Sequence, residues 1–495
     1  MIPNTELRTA ASINNTPPEL LCRIFDFLLH ARETDEPTAA RVDDICSLRL
    51  TCRRFCQWAS PLLIPEISVC MTEPSLERLK NVSGHQLIGS GVRSVHVKLP
   101  YYEQRMAADL THFAYSHIAG MSQHLGHLKD VISGKLHERE SYNVPDWVDY
   151  EVLELGKAII SAWKSIYTAD SEDLQRDSEE HATYRKILRD AHREYQLLFE
   201  AQQKMRENGT FLSTIASAMA KMPNADRLEI TDGEDPTFKR DAYLIDRDYR
   251  ISLRAVLLRP HTWSDASDLY PDPDVEPPIE FLHSLPVEIH RAGVTLREMK
   301  AKCSAPCSYA NLSMSPSERD SLVESLQNLQ TLIIEAAGKE AMSGWFFDHQ
   351  EDAMALVSDF LSALLQSSGV EDLTISSFNL RSLNELLTGA HNQSLKRLYL
   401  VGARLRAGIL GEYLARVQGP CDVVLEQMEI LGGKWADQAD ELRGLSRAST
   451  TVVQPFGDEF RRGRATNVCN AEEERMLNNY LQRKSSVNPL RNRNI

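Results

Sequence analysis

The sequence predicts a mixed α/β chain: a small helical module at the amino end, then an irregular solenoid of strand–helix units carrying an inserted helical region. Three observations carry this prediction. Apolar residues recur at helical spacing in two short stretches of the first seventy residues. Further along, a pattern of one apolar, two polar, one apolar, one polar and one apolar position returns five times. Between its first two occurrences lies a long segment that includes Ser178 to Met222, rich in Arg, Glu, Gln, Leu and Ala.

Composition sets the outer bounds. The chain has 495 residues, 42% hydrophobic and 25% charged, which are proportions of a globular protein rather than a collagen-like or largely disordered one. That length accommodates about three folded units. The formal net charge is −15, from 55 Lys+Arg against 70 Asp+Glu. An acidic surface repels phosphate backbones, so no nucleic-acid partner is expected. No run of about 20 apolar residues is present, so no membrane partner is expected either. Residues Met1 to Asn15 are polar and lack the apolar core of a secretory signal. The nine cysteines are thinly spread, as reduced thiols would be, and the expected location is cytoplasmic, nuclear or both.

The amino-terminal elements come first. In Thr16-Pro17-Pro18-Glu19-Leu20-Leu21-Cys22-Arg23-Ile24-Phe25-Asp26-Phe27-Leu28, Thr16 reads as an N-cap and Glu19 completes a capping box. Pro17 suits the first helical position, where its missing N–H is no loss. Leu20, Leu21, Ile24, Phe25 and Leu28 then form one apolar stripe. His30 to Asp43 is polar and reads as a loop, and a second helical run starts at Asp44. There Ile45, Leu48, Cys52, Phe55 and Ala59 share a face, until Ser60-Pro61 ends the run. Helices this short cannot bury so much apolar surface among themselves, so another body must cover it.

Pro17-Pro18-Glu19-Leu20-Leu21, Ile24-Phe25 and Leu48-Arg49-Leu50-Thr51-Cys52-Arg53-Arg54-Phe55 together resemble the two halves of an F-box. The resemblance spans residues 14–64, about a tenth of the chain, and departs from the family in two places. Thr16 stands where an apolar residue is usual, and the stretch between the halves is longer than the usual turn. The resemblance implies a module that docks on the Skp adaptor of SCF-type cullin ubiquitin ligases. The adaptor-binding residues it implies are Pro17, Pro18, Leu20, Leu21, Ile24, Phe25, Leu28, Leu48, Leu50, Cys52 and Phe55. A second Leu-Pro-x-Glu-Ile, at 285–289, has no such partner half and reads as the start of a helix. The closing Asn488-Pro489-Leu490 resembles the end of many fungal F-box proteins.

The body is read from the recurring pattern, at Val92–Val97, Ala225–Ile230, Leu329–Ile334, Val370–Ile375 and Leu395–Leu400. Its last three positions alternate like a strand, and the leading apolar position resembles the turn entering the strand of a leucine-rich repeat. Asp352 to Gln366 and Leu380 to Leu387 read as helices between strands. Steps are uneven: Leu332 to Leu373 is 41 positions and Leu373 to Leu398 is 25. The expected organisation is thus an F-box module at 14–64, a first strand unit with inserted helices at 65–225, a leucine-rich-repeat-like α/β domain at 226–445 and a basic tail at 446–495. Ordinary β-α alternation in a non-repeat domain is the alternative.

No motif for catalysis, cofactor or metal emerges. Cys52-x3-Cys56 and Cys303-x3-Cys307 supply two thiols each, against the four convergent ligands of a structural zinc site. His112, His117, His124 and His127 crowd one helix and read as partly exposed side chains. Phosphate loops, nucleophile elbows and His-Glu-x-x-His are absent from the sequence. The expectation is a non-catalytic subunit with an unknown protein substrate, linked through the Skp adaptor to cullin; the alternative is a non-ligase scaffold using the same module.

Overall fold

Strands form where apolar residues alternate with polar ones, and helices where the period lengthens to about 3.6 residues. A computed structural model describes residues 16–17, 19–21, 23–24, 39–132, 150–168, 179–233, 249–263, 276–306, 308–336, 351–366, 369–376, 380–389, 393–457, 460 and 469–491. Its strands are β1 (Glu66–Cys70), β2 (Ser94–Lys98), β3 (Arg227–Thr231), β4 (Glu298–Cys303), β5 (Thr331–Ala336), β6 (Asp372–Ser376), β7 (Arg397–Val401), β8 (Arg404–Arg406), β9 (Cys421–Glu426), β10 (Glu429–Leu431) and β11 (Ala448–Val453). Nine of them make one open sheet, ordered β1-β2-β3-β4-β5-β6-β7-β9-β11, with each strand parallel to its neighbour. β8 and β10 pair, also in parallel, as a small second sheet.

Parallel strands laid down in chain order by right-handed crossovers place every connection on one side. Burial follows that rule. Ile67, Val95, Leu228, Met299, Leu332, Leu373, Leu398 and Val423 are buried and fall in one line across eight strands. The alternate residues of each strand, Thr231 excepted, are half-buried or exposed, so among the described residues the opposite face of the sheet is open. Helices α1 (Ala39–Thr51) and α2 (Arg53–Ala59) precede the sheet. The crossovers carry α3 (Glu73–Gly84), α4 (Thr210–Ala220), α5 (Phe281–Arg291), α6 (Pro316–Ser325), α7 (Glu351–Leu365), α8 (Leu380–Gly389), α9 (Ile409–Arg416) and α10 (Trp435–Gly444).

Between β2 and β3 the chain leaves the sheet for a helical insertion with its own core. Phe113, Met121, Trp163, Tyr184, Leu188 and Tyr195 are buried there, and Leu253 and Leu257 join them from beyond β3. Polar side chains fasten the insertion to the end of β2. Gln202 donates to the Pro100 carbonyl at 3.0 Å and accepts from the Tyr102 amide at 2.9 Å. Tyr195 Oη accepts from the Glu103 amide at 2.8 Å.

The last strands repeat a common step. Leu373, Leu398, Val423 and Thr450 are register partners on β6, β7, β9 and β11, separated by 25, 25 and 27 residues. Gly402, Gln427 and Gln454, each directly after its strand, all adopt positive φ (65°, 52° and 47°). The same turn therefore ends three successive strands, and at two of them no glycine marks it.

Several sequence-based expectations are corrected. The second helical run begins at Ala39 rather than Asp44 and is broken at Cys52, whose extended backbone (φ −159°, ψ 165°) caps α2. Pro286 lies inside α5 instead of starting a helix. Residues 65–225 supply two strands, β1 and β2, to the same sheet as 226–445, so no structural boundary separates those segments. Residues 446–495, expected as a basic tail, supply β11 and the helix Ala471–Leu481, whose Leu477, Tyr480 and Leu481 are buried. Among the described residues there, Arg447, Arg475, Arg483, Lys484 and Arg491 are exposed, as are Met476 and Val487, while Leu477, Tyr480, Leu481 and Leu490 are buried. His117 is buried against Phe113 rather than partly exposed, with ring centroids 4.5 Å apart. Among the described residues, no helix is long and apolar enough to cross a membrane.

Candidate functional site

The amino-terminal module sorts its apolar residues into two sets. Leu21, Ile45, Phe55 and Ala59 are buried together, with Leu48, Cys52, Trp58, Leu62 and Leu63 packed against them. Pro17 starts the first helical turn, its carbonyl accepting from the Leu20 and Leu21 amides at 3.1 Å each. Cys52 Sγ accepts from the Phe55 amide at 3.4 Å, which orients the first turn of α2. Arg54 donates to the Thr16 carbonyl and so ties α2 back to the chain 38 residues earlier.

The second set faces outward. Leu20 is 48% exposed, Ile24 45%, Val42 47% and Leu50 87%. Leu20 and Ile24 are four residues apart, hence on one face of their turn. Scattered exposed apolar residues are ordinary, whereas a concentration of them marks an interaction surface. Of the nine large apolar side chains that are exposed among the described residues, four fall between positions 20 and 50.

The residues that resemble an adaptor interface thus divide. Leu21, Leu48, Cys52 and Phe55 converge on the inner cluster; Pro17, Leu20, Ile24 and Leu50 lie on the outside. Pro18, Phe25 and Leu28 lie outside the described residues. Val42 was not singled out from the sequence, because 30–43 reads as a loop until the helix is seen to reach back to Ala39.

A second surface is the open face of the large sheet. Charged side chains pair across neighbouring strands: Arg227 with Glu298 at 3.5 Å, Lys300 with Glu229 at 3.3 Å, and Arg397 with Asp372 through two bonds of 2.6 Å. Toward β11 the face carries half-buried Ile333, Val401, Val424 and Val453 among Thr374, Ser376 and Thr451, and Tyr399 donates to Glu426. At the β1 end, His96 sits between Glu66 and Glu229. Its Nδ1 is 3.7 Å from Glu66 Oε1, and its Nε2 is 3.0 Å from Thr231 Oγ1.

The other buried polar groups read as structural. Asp232, fully buried after β3, accepts from the Trp263 amide at 3.3 Å, the Ser304 amide at 3.1 Å and the Ser304 hydroxyl. It thereby binds three separate chain segments together. The Cys303 thiol points to the Ile230 carbonyl at 3.8 Å, and Cys56 faces Ser60 Oγ at 3.7 Å. Compared with known proteins, the chain matches no family model, and no characterised protein is significantly similar to it.

Proposed function

We propose that this chain is the substrate-recognition subunit of an SCF-type cullin ubiquitin ligase. The amino-terminal module is read as an F-box that docks on the Skp adaptor, and the sheet as a leucine-rich-repeat-like solenoid that holds a target protein. The observation that carries the reading is the exposure of Leu20 and Ile24 on a module whose inner cluster is already closed by Leu21, Ile45, Phe55 and Ala59. Covering side chains of this size contributes about 1.5–3 kcal/mol each, and a few such anchors dominate a typical interface. The near-even step of the last four strands, and the turn shared by three of them, support the repeat reading. A cytoplasmic or nuclear location goes with this assignment.

In this role the chain performs no bond chemistry. It holds a target near the conjugating enzyme, so that a dilute encounter becomes a local one; effective concentrations for tethered partners reach the millimolar range for short flexible links. The test is co-purification of the full-length chain with a Skp adaptor and a cullin, comparing wild type with L20D/I24D and with L197D, which alters an exposed leucine on another helix. Wild type and L197D are expected to bring down both partners, and L20D/I24D neither. Equal behaviour of all three overturns the assignment. Adaptor without cullin favours the scaffold alternative.

A further inference from the structure

Glu66, His96 and Glu229 stand on three adjacent strands, β1, β2 and β3, all pointing to the open face. The register sets His96 directly opposite Glu229, while Glu66 lies diagonally, two positions along β1 from His96's partner Ser68. One ligand atom from each side chain lies within 4.8 Å of the other two. Among the described residues this is the one group of three potential ligands so close together.

We propose that these three side chains bind a divalent first-row transition-metal ion, with Zn2+ as the natural fit. Mixed imidazole and carboxylate donors suit zinc, and bonds of about 2.0–2.2 Å set the tetrahedral ligand atoms roughly 3.4 Å apart. The His96–Glu66 separation of 3.7 Å is already near that value. Small rotations of the two glutamates close the rest. The Glu66 side chain is 52% exposed and so has room to turn.

The surroundings are consistent with a ligand set. Thr231 Oγ1 lies 3.0 Å from His96 Nε2 and anchors the ring; with the proton on Nε2, the Nδ1 lone pair is free on the side of Glu66, 3.7 Å away. Such outer hydrogen bonds fix the tautomer and orientation of metal-bound histidines. Lys300, half-buried and 3.3 Å from Glu229, supplies the countercharge when no ion is bound. Three protein donors leave a tetrahedral ion one further position, for water or for a donor from a bound protein.

Co2+ added to the full-length chain tests the proposal, because its visible absorption separates nitrogen–oxygen from thiolate ligation. One ion per chain is expected, without the near-ultraviolet band of a cobalt–thiolate bond. Zn2+ should displace it. H96A and E229Q should each lower the affinity at least tenfold, and T231V about tenfold. E66Q alters an exposed side chain, so it keeps the test valid should a more buried variant misfold. Absence of binding overturns the proposal, as does binding that E66Q and H96A leave unchanged or that carries the thiolate band. None of these results depends on adaptor binding, so the two proposals fail separately.

Discussion

Leu20 and Leu21 are consecutive in sequence and opposite in environment: Leu21 is fully buried against Ile45, Phe55 and Ala59, whereas Leu20 is 48% exposed. One turn of helix thus divides its apolar residues between the module's own core and a surface left for another body. Truncating the buried residue leaves a cavity, so L21A is expected to cost about 2–5 kcal/mol of local stability. L20A should stay within about 0.5 kcal/mol of wild type. Hydrogen exchange of the α1 and α2 amides reads both effects. Equal losses would mean that Leu20 also serves the fold.

Gly91 is the point where the sheet meets the module. A Cβ there would fall on the backbone carbonyl of Pro61, whereas one on Gly84 would meet nothing within 4 Å. Backbone cannot move aside as a flexible side chain does, so G91A is expected to destabilise by about 1–3 kcal/mol. G84A, at the end of α3, should be neutral or slightly stabilising. Melting curves of the two variants should separate accordingly; matched curves would show that the 60–62 segment yields freely.

The insertion core predicts a pH dependence. His117 is buried and its Nε2 has no hydrogen-bond partner among the described residues; burial chiefly, and the nearby His261 secondarily, push its pKa down to about 3. In the unfolded chain a histidine protonates near 6.5. Between those values the unfolded state binds one more proton than the folded state, so stability falls as the pH falls, by about 1.4 kcal/mol per unit. Burial lowers His192 and His283 in the same direction. Urea denaturation from pH 7 to 4 should show the decline, and H117L should reduce its slope by one proton. An unchanged slope in H117L would place the proton elsewhere.

Asn488 holds the carboxyl-terminal segment to α10. Its Nδ2 donates to the Ala436 carbonyl at 2.9 Å and to Asp440 at 2.7 Å, and its Oδ1 accepts from the Leu490 amide at 3.0 Å. Burial raises the Asp440 pKa, but hydrogen bonds from Tyr480, Asn488 and Arg491 outweigh it and leave the carboxyl below its ordinary range. N488A strands buried partners and is expected to cost about 1–3 kcal/mol. Limited proteolysis should then cut sooner after residue 481. Wild-type resistance in N488A would show that Leu490 packing alone retains the segment.

The helices and strands with dense, regular apolar periods were legible in advance. In Val92–Val97, Ala225–Ile230, Leu329–Ile334, Val370–Ile375 and Leu395–Leu400 the last four residues fall on a strand and the first two lead into it. Four other strands are less plain in the sequence: Ile64–Val69 and Leu296–Ala301 carry the same pattern with Pro65, Ser68 or Ala301 weakening it, whereas Cys421–Glu426 and Ala448–Val453 have Pro420 and Arg447 where the leading apolar residue would stand. Their strand state comes from pairing with neighbours on both sides, or on one side at the sheet edges.

Local chemistry in the chain determined where apolar stripes, caps and breaks lie, since these depend on residues three or four positions apart. Which stripe residues point outward, as Leu20 and Ile24 do while Leu21 does not, was decided by the folded chain, when residues up to 38 positions away closed over one side of a single turn. The meeting of Glu66, His96 and Glu229 was likewise beyond any local pattern. Its members are 30 and 133 positions apart, and only the parallel register of three strands, with a helical insertion looped out between two of them, brings their side chains together.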